Sequence, residues 1–368
     1  VNAVSAASRA SFVGSLAEEA ASGNRALLLA PLGAGKTHSL LAARDVLAAK
    51  GVPFVFLDLF TAASTPERLL SAIGEAVGPF MGEKQDAMTA LLTEGASDRH
   101  RSSGALLQLF DLLAAPTPFV WLVDEVTEIR SLAYFPGLGR IESPFARALS
   151  SARGAILASS YLGLAEDLFP DLARVVLPGL TVLDLDDEAS RGLESDVLTA
   201  LTLTAGTAAN LLPLLADLRE SRDLRRSLIR LLRPGGALEL GCRRRYEVLL
   251  MRSRGYAVSK RAAEVVAGAR DQRLTDLFPR IGRTPGASRQ YLRWLVEVGL
   301  LTQTRKRYDF ADSMVGLWAE LYLGRSGHPT DEEIGATVSL RLARPSGGEA
   351  EEPEPPPARR PDRFEEID

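Results

Sequence analysis

Apolar residues in the first half of the chain gather into five short, nearly continuous runs. These are ALLLA (26–30), PFVFLDL (53–59), PFVWLVDE (118–125), GAILASS (154–160) and RVVLPGLTVLDL (174–185). The intervals between them carry apolar residues at helical spacing. Strands apolar on both faces that alternate with helices predict a parallel sheet covered on both sides. From Asp186 such runs stop, and a leucine- and arginine-rich helical periodicity takes over. RPGGALELG (233–241) reads as a hinge between helical units, and the chain turns polar after about Ser326. GGEAEEPEPPPARRPDRFEEID at the end is too poor in apolar residues to fold. The pattern divides the chain into an α/β unit (1–185), a helical unit (186–236), a basic unit (237–325) and a disordered tail (326–368).

The first apolar run leads into PLGAGKTHSLL, a glycine-containing turn followed by a helix. In G-x-x-x-x-G-K-[ST] loops the backbone N–H groups wrap phosphates, the lysine reaches the β and γ phosphates, and the hydroxyl ligates Mg²⁺. Here Pro31, Leu32, Gly33, Ala34, Gly35, Lys36, Thr37 and His38 occupy those positions, and Ala30 replaces the first glycine. A methyl at the strand end is tolerable if the backbone angles there are ordinary, while Gly33 and Gly35 keep the freedom the loop needs. The positive end of the following helix points at the same anion.

FVWLVDEVTEI is a hydrophobic strand ending in two carboxylates, as a Walker B strand does. Asp124 would hold Mg²⁺ through water, and Glu125 would polarise the attacking water. The next strand ends in ASSYLGLAEDLF, where Ser159 or Ser160 lies in place to sense a γ-phosphate; Ser160 is the candidate catalytic residue. The expected cofactors are ATP and Mg²⁺.

Composition adds little until charge is resolved along the chain. The formal net charge is −4, yet Arg219–Arg307 holds 22 Lys/Arg against 8 Asp/Glu, leaving 21 against 39 elsewhere. A local balance of +14 inside an acidic chain points to a polyanion partner or to a solvated arginine-rich surface. The single cysteine, Cys242, excludes an internal disulfide and fits a reducing cytoplasm. The N-terminal residues lack a signal pattern, and no apolar run approaches the ~20 residues of a membrane span. A cytoplasmic protein without a membrane partner is expected.

In the basic unit, Thr284 and Pro285 open a helix as N-cap and first residue. Tyr291, Leu292, Leu295 and Val296 share one face of it, and Arg289 and Arg293 stand one turn apart on another. GLLTQTRKRYDF then reads as strand, basic tip (Arg305, Lys306, Arg307) and return strand. Trp294 and Trp318 sit within apolar spacing and are expected in the core.

APLGAGKT, FLDLFTAASTPERLL, LVDEVTEI and LASSYLGLAEDLF, in this order, resemble AAA+ ATPases of the group containing the archaeal-type winged-helix ATPases, the origin-recognition ATPases and the STAND regulators. An extra strand between phosphate loop and Walker B, and a glutamate after its aspartate, mark the ATPase branch of P-loop proteins. The resemblance implies an α/β P-loop sheet of order 5-1-4-3-2, a helical lid and a C-terminal winged helix-turn-helix. It implies an arginine finger reaching a neighbouring subunit's nucleotide, for which Arg174 is the candidate ahead of Arg140, Arg147 and Arg153. In TAGTAANLLPLL (204–215), which is similar to the family's lid stretch, Gly206 is kept but Ala209 stands at the arginine position, implying slow hydrolysis. ADSMVGLWAELY resembles the helix that follows the winged helix in the family, and the likeness spans about residues 9–325.

The expected function is a slowly hydrolysing ATPase whose nucleotide state controls homo-oligomer assembly and the binding of double-stranded DNA. Arg289 and Arg293 would then face the groove, and Arg305, Lys306 and Arg307 the phosphates. One alternative is a STAND-like switch whose winged helix docks a protein partner. Another is an accessory ATPase of transposition or phage defence.

Overall fold

The computed structural model describes residues 8–97, 99–185, 192–268 and 271–343. The sequence alternates as expected: α1 (Arg9–Ala21), β1 (Arg25–Leu29), α2 (Lys36–Ala49), β2 (Phe54–Asp58), α3 (Leu59–Ala62), α4 (Pro66–Val77), α5 (Gln85–Ser97), α6 (Arg99–Leu113), β3 (Thr117–Asp124), α7 (Glu142–Ser150), β4 (Ala152–Ser159), α8 (Leu162–Leu168) and β5 (Ala173–Val176). The five strands form one parallel sheet in the order β2-β3-β4-β1-β5, which is the order expected.

Side chains on a strand alternate between faces, so each apolar run feeds two cores. Leu27, Leu29, Trp121, Val123, Ala155 and Leu157 pack against α3–α7. Ala26, Leu28, Val120, Leu122, Ile156 and Ala158 pack against α1 and α2. The fifth run is shorter as a strand than its apolar pattern suggested. β5 ends at Val176, ahead of Pro178 and Gly179, and Val182–Asp184 form a single 3₁₀ turn. Proline brings no N–H to a ladder, and the Asp184 carboxylate accepts from the Thr181 N–H and hydroxyl and from the Arg9 N–H, fixing the chain as a turn.

The second half comprises α9 (Glu194–Thr204), α10 (Ala208–Ser221), α11 (Leu224–Leu232), α12 (Ala237–Arg252), α13 (Tyr256–Ala267), β6 (Gln272–Arg273), α14 (Leu274–Ile281), α15 (Pro285–Glu297), β7 (Leu301–Thr304), β8 (Arg307–Phe310), α16 (Ser313–Tyr322) and α17 (Asp331–Ala343). One core runs through these elements from Leu193 to Val338. The RPGGALELG stretch makes a tight turn, with Gly235 at φ 81° and a Cβ on Gly236 only 2.3 Å from the Leu231 carbonyl oxygen. β6, β8 and β7 form an antiparallel sheet beside α13–α15. The polar stretch from 326 was expected to stay disordered; Asp331–Ala343 instead forms α17, because Ile334 and Val338 recur at helical spacing and bury against the preceding helices. Residues 344–368, with all of the Pro/Glu-rich segment, lie outside the described residues.

Candidate nucleotide site

The site forms where β1, β3 and β4 end side by side. Leu29 pairs with Ser159, and Val123 with Leu157, so the residues that follow these strands emerge together. Ala30 is fully buried, its N–H continues the ladder to the Ser159 carbonyl, and its φ is not among the positive ones. A methyl replaces the usual first glycine without strain. Gly33 and Gly35 do need to be glycine, with φ of 88° and 98°. A Cβ on Gly33 would also stand 2.9 Å from the Ala209 methyl and 3.3 Å from the Arg245 Cδ.

α2 starts at Lys36, so the N–H groups of its first turn, unpaired within the helix, point at the loop's concavity. The Lys36 ammonium is buried; its Nζ lies 3.4 Å from the Glu125 Oε1 and donates to the Pro31 carbonyl at 3.4 Å. Burial pulls this amine below the ordinary lysine range, partly offset by Glu125 and Asp124. The Thr37 hydroxyl donates to the Asp124 Oδ2 at 2.5 Å. Burial pushes the Asp124 carboxyl above the ordinary aspartate range, with the Thr37 hydrogen bond acting against it. Pro31 and His38 are exposed at the loop's two ends, while Leu32 is half-buried and Ala34 buried.

Glu125 sits at φ 46°, a left-handed conformation rare outside glycine and found where a site dictates it. Its Oε2 accepts from the Ser160 N–H at 3.1 Å and from the Ser160 hydroxyl at 2.8 Å. Ser159 is turned away: its hydroxyl pairs with Thr127 at 3.2 Å and accepts from the Tyr161 N–H. Of the two serines, Ser160 is thus the one that joins Lys36, Thr37, Asp124 and Glu125. Arg174, the second residue of β5, does not join them; it is half-exposed and ion-paired with Glu166 at 3.3 Å.

Three arginines contribute that sequence reasoning passed over. Arg9 of α1 donates to the Ala34 carbonyl at 2.7 Å and the Pro178 carbonyl at 2.5 Å, bracing the loop. Arg245 of α12 lies buried beside Gly33, donates to the Asn210 side chain and pairs with Asp312 at 3.5 Å. Arg252, ending α12, donates to the Ser160 Oγ at 2.9 Å and the Glu128 Oε1 at 3.0 Å. Each comes from an element distant in sequence, and nothing in its local pattern marked it. From the lid stretch, the Ala209 N–H donates to the Gly33 carbonyl at 3.0 Å, so Ala209 meets the loop with a methyl and an amide, while the Arg245 side chain reaches Gly33 from α12.

The basic surface lies apart from this cluster. Thr284 caps α15 by accepting from the Ala287 N–H, with Pro285 at its first position. Arg289 is exposed on α15, and Arg293, also exposed, is ion-paired with Glu297 at 3.0 Å. Arg305 and Lys306 form a two-residue turn between β7 and β8 at φ 50° and 65°. Arg307 donates to the Asp271 carbonyl at 2.7 Å and its carboxylate at 3.2 Å, tying β8 to the start of β6. Trp318 is in the core as expected; Trp294 is half-buried, with Tyr291 edge-on at 5.1 Å and Arg254 over its ring at 5.9 Å.

No protein-family model and no curated protein matches the chain. Among solved structures it is similar to the Walker-type ATPase of Pyrococcus abyssi, with a TM-score of 0.58 and 18% identity, covering 84% of this chain and 94% of that one. The replication initiator DnaA bound to AMPPCP and single-stranded DNA gives 0.36 and 14%, covering 77% and 85%. The Thermotoga maritima RuvB Holliday junction branch migration motor gives 0.34 and 15%, covering 82% and 90%.

Proposed function

From the P-loop AAA+ ATPase fold of this chain, we infer that it binds ATP with Mg²⁺ and hydrolyses it slowly, and that its nucleotide state governs assembly and the grip of a C-terminal winged helix on duplex DNA. The convergence of Lys36, Thr37, Asp124, Glu125 and Ser160 at the ends of three adjacent strands carries the reading.

The residues present suit Mg²⁺. Among the described residues no group of three His, Cys, Asp or Glu could hold a metal by itself. One hydroxyl and one buried carboxylate 2.5 Å apart match a small cation that keeps its waters and takes its other ligands from phosphate. Thr37 and Asp124 would hold it, and it would neutralise charge on the transferred phosphoryl group. Lys36 would exchange Glu125 for the β and γ phosphates. The first-turn N–H groups of α2 would bind phosphate oxygens, and Glu125 would orient water in line with the γ-phosphate. Ser160 would report on that phosphate. Ala209 brings no cation to the lid, and the nearby Arg245 guanidinium is already engaged by Asp312 and Asn210, which supports slow turnover.

The arrangement of α13, α14 and α15 followed by the β7–β8 hairpin supports a winged helix, with α15 as the groove-entering helix and the Arg305–Lys306 tip as the wing. A protein-docking switch is favoured by one observation: several of the arginines behind the +14 balance are already paired inside the chain, including Arg230, Arg233, Arg252, Arg293 and Arg307.

Lys36→Ala should abolish ATP binding by calorimetry, and wild-type protein with ATP should bind duplex DNA with affinity falling steeply as salt rises. Equal ATP affinity in the two proteins would end the nucleotide reading. Indifference to DNA at low salt would leave the switch.

A further inference from the structure

α12 has two unlike faces. Leu238, Cys242, Tyr246 and Leu249 are buried in the core, whereas Leu240, Arg243, Arg244 and Met251 recur at helical spacing on the opposite side. Both of these arginines are exposed, and among the described residues neither has a hydrogen-bond or ion-pair partner. Arg245 and Arg252 on the same helix are instead paired, with Asp312 and Glu128. Leu240 and Met251 are 52% and 74% exposed, so two large apolar side chains share the stripe with two unpaired cations. Glu247, between them, accepts from the Tyr256 hydroxyl at 3.0 Å and is thereby engaged within its own chain.

The make-up of this stripe selects its occupant. A phosphodiester backbone would use the two cations, but it offers nothing to Leu240 and Met251 and would be repelled by Glu247. An acidic peptide with apolar side chains uses both kinds of group. Residues 362–368, DRFEEID, have that chemistry. They set four carboxylates (Asp362, Glu365, Glu366, Asp368) against one arginine, beside Phe364 and Ile367, the only large apolar residues in 344–368.

The lengths agree. Leu240 to Met251 spans about 17 Å of helix, and seven extended residues cover about 23 Å. α17 packs against α11 and α11 against α12, so about two interhelical spacings, ~20 Å, separate α17 from α12. The described chain ends at Ala343, and the 18 residues from 344 to 361 reach as far as about 60 Å. A tether of that length holds the segment at an effective concentration of about a millimolar, sufficient for a weak contact to form.

We propose that the Leu240–Met251 face of α12 is the docking surface for residues 362–368 of the same chain, whose carboxylates pair with Arg243 and Arg244 while Phe364 and Ile367 cover the apolar side chains. The inference goes beyond the nucleotide and DNA readings and depends on neither.

The test uses the full chain with the photo-crosslinking residue benzoylphenylalanine in place of Arg363. Irradiated at micromolar concentration and low salt, it should crosslink within one chain, to peptides from residues 237–256 in mass spectrometry. Arg243→Glu combined with Arg244→Glu should lower the yield by about tenfold, because two attractive pairs become repulsive. Adding Glu365→Arg and Glu366→Arg to that variant should restore most of it, which a merely disturbed fold would not do. An unchanged melting temperature checks that these exposed substitutions leave the core intact. Raising the salt from 0.1 to 1 M shortens the screening length from about 10 to 3 Å and should lower the wild-type yield as well. Leu240→Ala with Met251→Ala should lower it at both salt concentrations. Crosslinks that map to α15 or to the Arg305–Lys306 tip would assign the segment to another surface and overturn the proposal. So would crosslinks joining two chains, a yield indifferent to the double charge reversal, a charge swap that restores nothing, or no crosslink to any described residue.

Discussion

Glu125 is held in a left-handed conformation by its place after β3, with both oxygens engaged. An amide in its place keeps the shape and removes the carboxylate. Glu125→Gln should therefore bind Mg-ATP and hydrolyse it about 10²–10⁴-fold more slowly, measured as phosphate release under saturating ATP. Equal rates in the two proteins would assign the water-activating role elsewhere. Cys242 shows the opposite situation, a group made inert by its surroundings. Burial pushes its thiol up to about 12, so at pH 8 only about one molecule in 10⁴ carries the reactive thiolate. Labelling with a thiol reagent at that pH should be slow in native protein and fast once unfolded. Rapid native labelling would mean that the packing of α12 against α10 opens readily.

Among the elements, the β7–β8 hairpin carries two side chains in a conformation that favours glycine. A two-residue turn with both residues at positive φ suits Asn-Gly, yet Arg305 and Lys306 occupy it at 50° and 65°. Side chains in that conformation cost on the order of 1 kcal/mol each. A charged tip retained at that cost is consistent with phosphate contact. Replacing the pair with Asn-Gly should stabilise the chain by about 1 kcal/mol, read as a higher denaturant midpoint, and should weaken DNA binding. The log–log salt slope should shrink by up to about 1.8 if both cations release counterions. A stabilised variant with unchanged DNA affinity would take the tip out of the interface. Arg307 is committed to Asp271 and ties β8 to the start of β6.

For the whole molecule, the question is what completes the nucleotide site. Arg174 stands away from the cluster on β5, half-exposed and paired with Glu166, so a finger role requires a second subunit. Arg174→Ala should leave ATP binding intact and lower turnover by up to about 10³-fold. Mixed with Glu125→Gln it should recover part of the activity, since one interface would combine Arg174 from one subunit with Glu125 from the other. Light scattering that finds only monomers with ATP bound would remove that role. Within one chain, the core running from Leu193 to Val338 joins α9–α11 to α12–α17, and the buried Asn210–Arg245–Asp312 group stitches α10, α12 and α16 together. Among the described residues, no helix is long and apolar enough to cross a membrane.

The parallel sheet and the phosphate loop were legible in the linear chain because their signals are local. A continuous apolar run, a glycine where φ must be positive and a carboxylate pair at a strand end each speak through neighbours in sequence. The resemblance carried by those motifs supplied the strand order. Ala30 caused no harm because its backbone angle is an ordinary one, as a reading of the turn alone anticipated. Tertiary structure decided what depends on partners far along the chain. It selected Ser160 over Ser159, since only one hydroxyl can face Glu125 while the other turns to Thr127. It brought Arg9, Arg245 and Arg252 to the site from helices whose own periodicity concerns their apolar faces. It also set part of the +14 balance against carboxylates outside the basic segment, pairing Arg230 with Asp217, Arg233 with Asp331, Arg245 with Asp312 and Arg252 with Glu128. A count along a sequence cannot separate a paired arginine from one facing solvent, because pairing is a matter of distance in space.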